Sequence, residues 1–187
     1  MKQHRSSIFP SLKILTTAAM LTAVSVVIGA FCKNFLNFGN GLFRITFENL
    51  PVILAGIVLG PLAGAMTGAV ADLVGCLAYG YSINPLITLG AAAVGLVSGS
   101  ASLLLRKSPL LLRISLSAVL AHLVGSVLIK TAGLAAWYLA SYEIGYAELV
   151  LWRLLNYTII AVLEITLLYI LLRHRGVARQ LERMCKK

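Results

Sequence analysis

The sequence predicts an all-α integral membrane protein, a six-transmembrane-helix bundle with its N- and C-termini in the cytoplasm. Hydrophobic residues make up 59% of its 187 residues and charged residues only 12%, whereas a soluble domain is about one quarter charged. Apolar stretches close to the roughly 20 residues that cross a bilayer follow one another along the chain. Basic residues cluster at both ends of the chain and in one connection, as expected at cytoplasmic helix ends.

The predicted spans fill nearly the whole chain, so we expect one membrane domain over residues 1–187 and no soluble domain. The second span is short, and the fifth is long enough to tilt in the bilayer. A Gly-Pro pair at residues 60–61 divides spans two and three, because proline suits the first turn of a new helix. The six spans are predicted at residues 12–31, 46–60, 61–79, 85–105, 113–139 and 147–172.

The distribution of the +10 net charge predicts the topology. Of the 16 Lys and Arg residues, three precede or begin span one, three lie between spans four and five, and six follow span six. The positive-inside rule then places both termini in the cytoplasm. A basic tail is also found in nucleic-acid-binding proteins. Beside a membrane span it is more typical of anchoring at anionic lipid, so we expect the bilayer and no nucleic acid as its partner.

Glycines recur at every fourth position from residue 56 to 68, and Asp72 continues this spacing. Residues four apart lie near one face of a helix, and small residues on that face let neighbouring helices approach closely. A carboxylate in hydrocarbon is costly unless it faces protein or water. The segment therefore predicts a polar site inside a tightly packed bundle.

Four basic residues, Lys33, Arg44, Lys130 and Arg153, are predicted on the outward side or within spans five and six. Cations are few on that side of most membrane proteins, so as a group they indicate an anionic ligand that binds from outside. Each one could instead pair internally or reach the lipid headgroups. The outward connections are also rich in aromatic residues, which favours a ligand with a flat ring.

Several motifs of enzymes and metalloproteins are absent from the sequence. It contains no phosphate-binding GxxxxGK[ST], no HExxH, no GxSxG and no Cys/His set with metal-ligand spacing. We therefore expect a protein that is not an enzyme and has no cofactor and no metal. Asp72 and His122 are the only pair that could serve as acid and base in an intramembrane enzyme, and nothing in the sequence brings them together.

Four segments resemble the S components, the substrate-binding membrane subunits, of energy-coupling-factor (ECF) vitamin transporters, and the folate type most closely. The block from Arg44, RITFENLPVILAGIVLGPLAGAMTGAVADLVG, is the most specific to that type. The others are NPLITLG from Asn84, the pair Ala19 and Ala23, and WRLLN from Trp152. The resemblance covers nearly the full length. It implies a bacterial plasma-membrane protein with six helices and a vitamin pocket near the outer surface.

The resemblance also implies protein partners. A transmembrane scaffold subunit would contact the small-residue face around Ala19 and Ala23, and two cytoplasmic ATPases would supply the energy. The sequence departs from the folate-type pattern at the predicted pocket rim, where Glu48 follows Phe47 and Ser82-Ile83-Asn84-Pro85 replaces a Pro-Gly-Phe segment. These departures leave the identity of the vitamin open.

We therefore predict a high-affinity binding subunit for folate or a related anionic, ring-bearing vitamin. Arg44 and Lys130 would bind carboxylates, while Arg153 and Asn156 would bind polar ring edges or the glutamate tail. Asp72 is more typical of an internal structural partner than of a direct ligand contact, although a carboxylate could accept hydrogen bonds from the amino group of a pterin. The remaining predicted ligand contacts are four aromatic residues that would stack on or enclose the ring, and two polar residues: Phe47, Tyr79, Tyr138, Trp152, Asn84 and His122.

Three alternatives remain at this point. An S component for another vitamin, such as thiamine or its pyrimidine precursor, riboflavin or pantothenate, has the same architecture, although the cations disfavour cationic thiamine. A small intramembrane enzyme would need Asp72 and His122 in contact. A structural subunit without a ligand would have no cavity on its outward face.

Overall fold

The computed structural model describes residues 12–35, 37–38, 43–44, 46–138, 145–174 and 176. Over these residues the chain is almost entirely helical, with one antiparallel ladder of two residue pairs. An eight-residue π-helical segment, His122–Ile129, lies within the continuous helical run Leu110–Ala135 and is called the π segment below. The elements in order are α1 (Leu12–Phe35), β1 (Asn37–Phe38), β2 (Phe43–Arg44), α2 (Asn49–Leu59), α3 (Pro61–Tyr79), α4 (Pro85–Leu104), α5 (Leu110–Ala121), the π segment, α6 (Lys130–Tyr138) and α7 (Tyr146–Arg173).

Five helical stretches within the described residues are long and apolar enough to cross a membrane, namely α1, α3, α4, α7 and the continuous run Leu110–Ala135. Helix α2 is also apolar but has only 11 residues, about half the roughly 20 that cross a bilayer. The all-α prediction is thus confirmed for the described residues, whereas six complete spans are not. The sequence did not predict either the short ladder or the π segment.

Glycine, proline and asparagine end and begin the helices in the middle of the chain. Gly60 has φ of 101°, a backbone conformation that L side chains rarely adopt, and Pro61 then starts α3. Gly80 ends α3 in the left-handed region with φ of 68°. At the start of α4, the Asn84 side chain accepts a hydrogen bond from the backbone N–H of Leu86 at 3.0 Å and caps the helix.

Helices α2, α3 and α4 pack backbone against backbone along the predicted glycine face. A Cβ placed on Gly64 would lie 2.6 Å from Gly56 Cα and 2.6 Å from the Gly95 carbonyl oxygen. A Cβ on Gly68 would overlap the Ala91 carbonyl group of α4. No side chain larger than hydrogen fits at these positions without moving a helix, so the three helices form a compact block.

The apolar core lies between this block and the later helices. Ile53, Val94, Ile114, Ala118 and Leu168 are fully buried in it and come from α2, α4, α5 and α7. The outer surface is apolar as well, and many of its leucines are exposed, up to 86% at Leu104. A surface of this kind suits lipid, because hydrocarbon solvates leucine while the helices satisfy their own backbone polar groups.

Candidate ligand-binding site

A cavity of about 50 Å³ lies where the C-terminal ends of α1 and α3 meet the N-terminal ends of α2, α4 and α6. This is the end of the bundle that the charge distribution predicts to face outward. Four charged side chains line the cavity, Lys33 from α1, Glu48 beside α2, Asp72 from α3 and Lys130 from α6. Among the described residues, the two ammonium groups are therefore balanced by two carboxylates.

Two hydrogen bonds join α1 to its neighbours beside the cavity. The Ser25 hydroxyl donates to the backbone carbonyl of Glu48 at 2.6 Å, and the Tyr79 hydroxyl donates to the backbone carbonyl of Val26. The Lys33 ammonium lies 3.9 Å from the centroid of the Tyr79 ring, within the range of a cation–π interaction. The aromatic face of Tyr79 is therefore covered by a cation of the same protein.

Asp72 is held by α4. Its Oδ2 accepts a hydrogen bond from the Thr88 hydroxyl at 2.7 Å, while the side chain also lines the cavity. A carboxylate with one bound donor retains further acceptor positions. Asp72 thus has a structural partner and faces the cavity as well.

A chain of polar contacts runs from the cavity into the bundle. Lys130 Nζ lies 3.5 Å from Asn49 Oδ1, and Asn49 Nδ2 lies 3.5 Å from Ser126 Oγ. Ser126 Oγ lies 3.4 Å from His122 Nδ1, and His122 Nε2 lies 2.6 Å from Glu164 Oε2. All five side chains are buried. We call these residues the polar chain.

The other predicted ligand residues have different positions. Arg153 donates to the backbone carbonyl of Ser126 at 3.0 Å, and its guanidinium lies 5.3 Å from the ring centroid of Tyr157. Asn156 is buried and Trp152 is half exposed on the same helix. None of the three is among the described residues that line the cavity. They lie on α7, which approaches the π segment.

Asn84 and Phe47 lie near the cavity but outside its described lining. Asn84 caps α4 and donates through Nδ2 to the Gly133 carbonyl at 3.0 Å, so it has a structural role at this position. Phe47 is half-buried immediately before α2. Arg44 and Tyr138 belong to the described backbone, but their side chains lie outside the described part of the structure.

Of the ten predicted ligand residues, the structure thus brings Tyr79 and Lys130 to the cavity. The sequence prediction of the site missed Asn49, which is only 2% exposed and connects the cavity to the polar chain. The sequence feature that could have indicated Asn49 is a polar amide side chain at the start of the apolar stretch that forms α2. Lys33, Glu48 and Asp72 also line the cavity and were not among the ten predicted ligand residues, although Lys33 belongs to the group of cations that indicated an anionic ligand.

His122 and Asp72 do not meet. His122 contacts Glu164, and Asp72 contacts Thr88, so the acid–base pair required for an intramembrane enzyme is not formed. Within the described residues, no cluster of three His, Cys, Asp or Glu side chains is arranged to hold a metal ion.

The profile of the family described as "ECF transporter, substrate-specific component" matches residues 13–173. The chain belongs to this family. The resemblance found in the sequence is therefore confirmed, together with two of its consequences. This S component is a transport subunit rather than an enzyme, and it is a multi-pass membrane protein.

Two solved structures share its architecture. One, described as FolT bound with folic acid, is 26% identical, with a TM-score of 0.61, and the match covers 84% of this chain and 91% of that chain. The other is the S component for biotin from an ECF-type ABC transporter, 18% identical with a TM-score of 0.55, covering 83% and 88% of the two chains. The second bears on the fold alone. No curated protein matches the sequence significantly.

Proposed function

We propose that this S component binds folate, or a vitamin of similar ring and charge, for an ECF-type ABC importer. The observation that carries the proposal is the cavity at the predicted outward end, where two ammonium groups, two carboxylates and Tyr79 surround one space. The 26% identity to a protein solved with folic acid supports folate as the first ligand to test.

The charges of the cavity match the two ends of such a ligand. Folate has carboxylates at one end and a pterin ring with N–H donors at the other. Lys33 and Lys130 are suited to carboxylate or carbonyl oxygens, and Glu48 and Asp72 are suited to ring N–H groups. A cavity with cations alone would favour a purely anionic ligand, whereas this one favours a ligand that also donates hydrogen bonds.

Binding requires the site to widen. Pockets for small organic ligands usually measure about 300–1,000 Å³, several times the 50 Å³ enclosed here. We propose that Lys33 leaves the face of Tyr79 as the ligand enters, so that the ring of the ligand can take its place. The stacking role predicted for Tyr79 would then become available.

We also propose the topology and assembly of the family for this chain. Helix α2 would be the second of six spans, the termini would be cytoplasmic, and a transmembrane scaffold with two ATPases would complete the importer. Ala19 and Ala23 are both exposed on α1, which is compatible with contact to the scaffold. The Ala19→Leu/Ala23→Leu variant should no longer co-purify with the scaffold subunit. The Ala147→Leu variant, changed at an exposed alanine of α7, should still co-purify with it.

Equilibrium titration of the purified protein tests the substrate. Folate should bind saturably and stoichiometrically, while riboflavin, pantothenate, biotin and thiamine should not compete. The two carboxylates in the cavity make an aminopyrimidine such as the thiamine precursor the second ligand of interest. Tight binding of one of these ligands without folate binding would reject folate and retain the vitamin-binding role. Absence of any binding would reject the proposal.

A further inference from the structure

The helical run Leu110–Ala135 changes its register just before it reaches the cavity. Its first part buries Ile114, Ala118 and Ala121 on one face, as expected for an α-helix that turns about 100° per residue. Sixteen residues separate Ile114 from Lys130, so in a continuous α-helix Lys130 would lie roughly 160° away from Ile114 around the axis. It would then point away from the bundle.

The observed burial contradicts a continuous α register. Lys130 is only 6% exposed and Thr131 is fully buried. The π segment accounts for the difference. Its i→i+5 bonds widen each turn, so the chain advances roughly 80° per residue instead of 100°. Over the eight residues of the segment, the accumulated lag is roughly 160°. This lag brings Lys130 back to the face of Ile114.

The polar chain has one self-consistent direction of donation. The Lys130 ammonium donates to Asn49 Oδ1, and Asn49 Nδ2 donates to Ser126 Oγ. The Ser126 hydroxyl can then donate to His122 Nδ1, and His122 Nε2–H to Glu164 Oε2. The three inner members of the polar chain, Asn49, Ser126 and His122, each accept one hydrogen bond and donate another. The two ends are the buried Lys130, which donates, and the buried Glu164, which accepts. Hydrogen bonds aligned in this way strengthen one another.

The polar chain passes through the first turn of the π segment. His122 and Ser126 both belong to that segment, and α7 holds each of them, through Glu164 at 2.6 Å and through Arg153, which donates to the Ser126 carbonyl at 3.0 Å. Gly125 lies between them and faces α4, where a Cβ would come 2.7 Å from the Gly90 carbonyl oxygen. The segment is therefore fixed on two sides.

We propose that the π segment sets the register that places Lys130 in the ligand cavity, and that His122 and Glu164 are positioning residues that hold this register. Neither residue lines the cavity among the described residues, so their effect on a ligand is exerted through Lys130. The part of this inference that concerns ligand affinity rests on the proposed function, whereas the register does not.

The register is tested without a ligand. In a background with Cys32, Cys76 and Cys185 replaced by serine, nitroxide labels are placed one at a time at positions 128 to 132 in nanodiscs, and oxygen collision rates are measured. The inference expects the lowest rates at 130 and 131, which the structure buries, and higher rates at 128 and 132. Lowest rates at 128 and 132, the positions nearest the face of Ile114 in a continuous α-helix, would overturn it.

The role of the pair is tested by replacing both partners. His122→Leu/Glu164→Met leaves no unpaired buried charge, and such apolar replacements are often tolerated. Without the hydrogen bond between His122 and Glu164, the segment should relax to an α-helix, and the lowest collision rates should move to positions 128 and 132. Unchanged minima would reject the positioning role of the pair, even if the native chain has the π register.

Moving the lysine gives a readout that a purely structural role cannot produce. In the native background, Leu128→Lys/Lys130→Leu should weaken folate binding about tenfold or more, because a charged contact is lost. In the His122→Leu/Glu164→Met background the order of folate affinities should reverse, so that the variant with the relocated lysine binds folate more tightly than the variant that keeps Lys130. The same order in both backgrounds would overturn the inference. If the native chain binds no folate, the proposed substrate fails, and the collision rates still decide the register.

Discussion

Replacing Gly64 by alanine should separate the helices of the α2–α3–α4 block. The added Cβ would lie 2.6 Å from both Gly56 Cα and the Gly95 carbonyl oxygen, whereas ordinary contacts begin at 3.4 Å. The two neighbours would each have to retreat by about 0.8 Å, the difference between those two distances. Both are backbone atoms of other helices, so no side-chain rotation relieves the overlap.

The size of the effect follows from two opposing contributions. Overpacking a dense interior costs about 1–3 kcal/mol, and alanine regains up to about 1 kcal/mol of helix propensity over glycine. We expect Gly64→Ala to lose about 1–2 kcal/mol of unfolding free energy. Gly75→Ala, on the same helix, is the matched control. Its Cβ would meet only Tyr79 Cε2 at 3.5 Å, so it should gain up to about 1 kcal/mol.

The two variants should therefore differ by about 2–12 °C in Tm, at roughly 2–4 °C per kcal/mol for a chain of this size. Thermal unfolding in detergent can be followed with a fluorogenic thiol reagent. The reagent would report the exposure of Cys32, which is 1% exposed in the folded protein, with Cys76 and Cys185 replaced by serine. Equal Tm values for the two variants would refute the close packing of the block.

Three further predictions concern the cavity. Thr88→Val removes the donor to Asp72 Oδ2 and should lower stability by about 1–3 kcal/mol, whereas Thr88→Ser should remain near the native Tm; equal losses would contradict the role of the hydroxyl. Lys33→Met should weaken folate binding about tenfold in a titration, and Lys107→Met in the predicted cytoplasmic connection should not; parallel effects would indicate general electrostatics. Tyr79→Phe removes the hydrogen bond to α1 and should lower stability by about 1 kcal/mol in thermal unfolding. Its folate affinity should change less than that of Lys33→Met in the titration. A larger loss of affinity in Tyr79→Phe than in Lys33→Met would show that the hydroxyl contacts the ligand.

The helices were predictable because hydropathy reports a strong physical requirement. Every backbone polar group in hydrocarbon needs a partner within its own segment, so long apolar stretches form helices, and Gly60 with Pro61 marks a turn whatever the rest of the bundle does. The glycine spacing at residues 56 to 68 likewise predicted close helix packing. These features depend on local sequence and on the surrounding lipid.

The ligand residues were harder to predict because the rotation of a helix about its axis is set by packing. Arg153 and Asn156 are three residues apart, so they share a face, but that face lies towards the π segment and not in the described lining of the cavity. The apolar residues of α7 are spread around the whole helix, so its sequence has no periodicity that reveals such a rotation. For the same reason, the position of Lys130 could be expected on the outward side, while the π segment that turns it inward could not.

The balance of charge in the cavity was missed for a related reason. Positive residues are informative in membrane topology, and the prediction therefore gave weight to cations. Glu48 and Asp72 were treated as possible internal partners, yet both face the same space as Lys33 and Lys130. Only the three-dimensional arrangement shows that acids and bases share one site.

Helix α1 differs from the rest of the bundle in how it is attached. Only 17% of the residues in its 18-residue apolar stretch are buried. Hydrogen bonds from Ser25 and Tyr79 connect it to the neighbouring elements beside the cavity. On the opposite wall, glycines lock three helices together with no room for adjustment. We expect entry and escape of the vitamin to be governed by displacement of α1, so the residence time of the ligand should respond to mutations in this helix far more than to equally close mutations in the rigid wall.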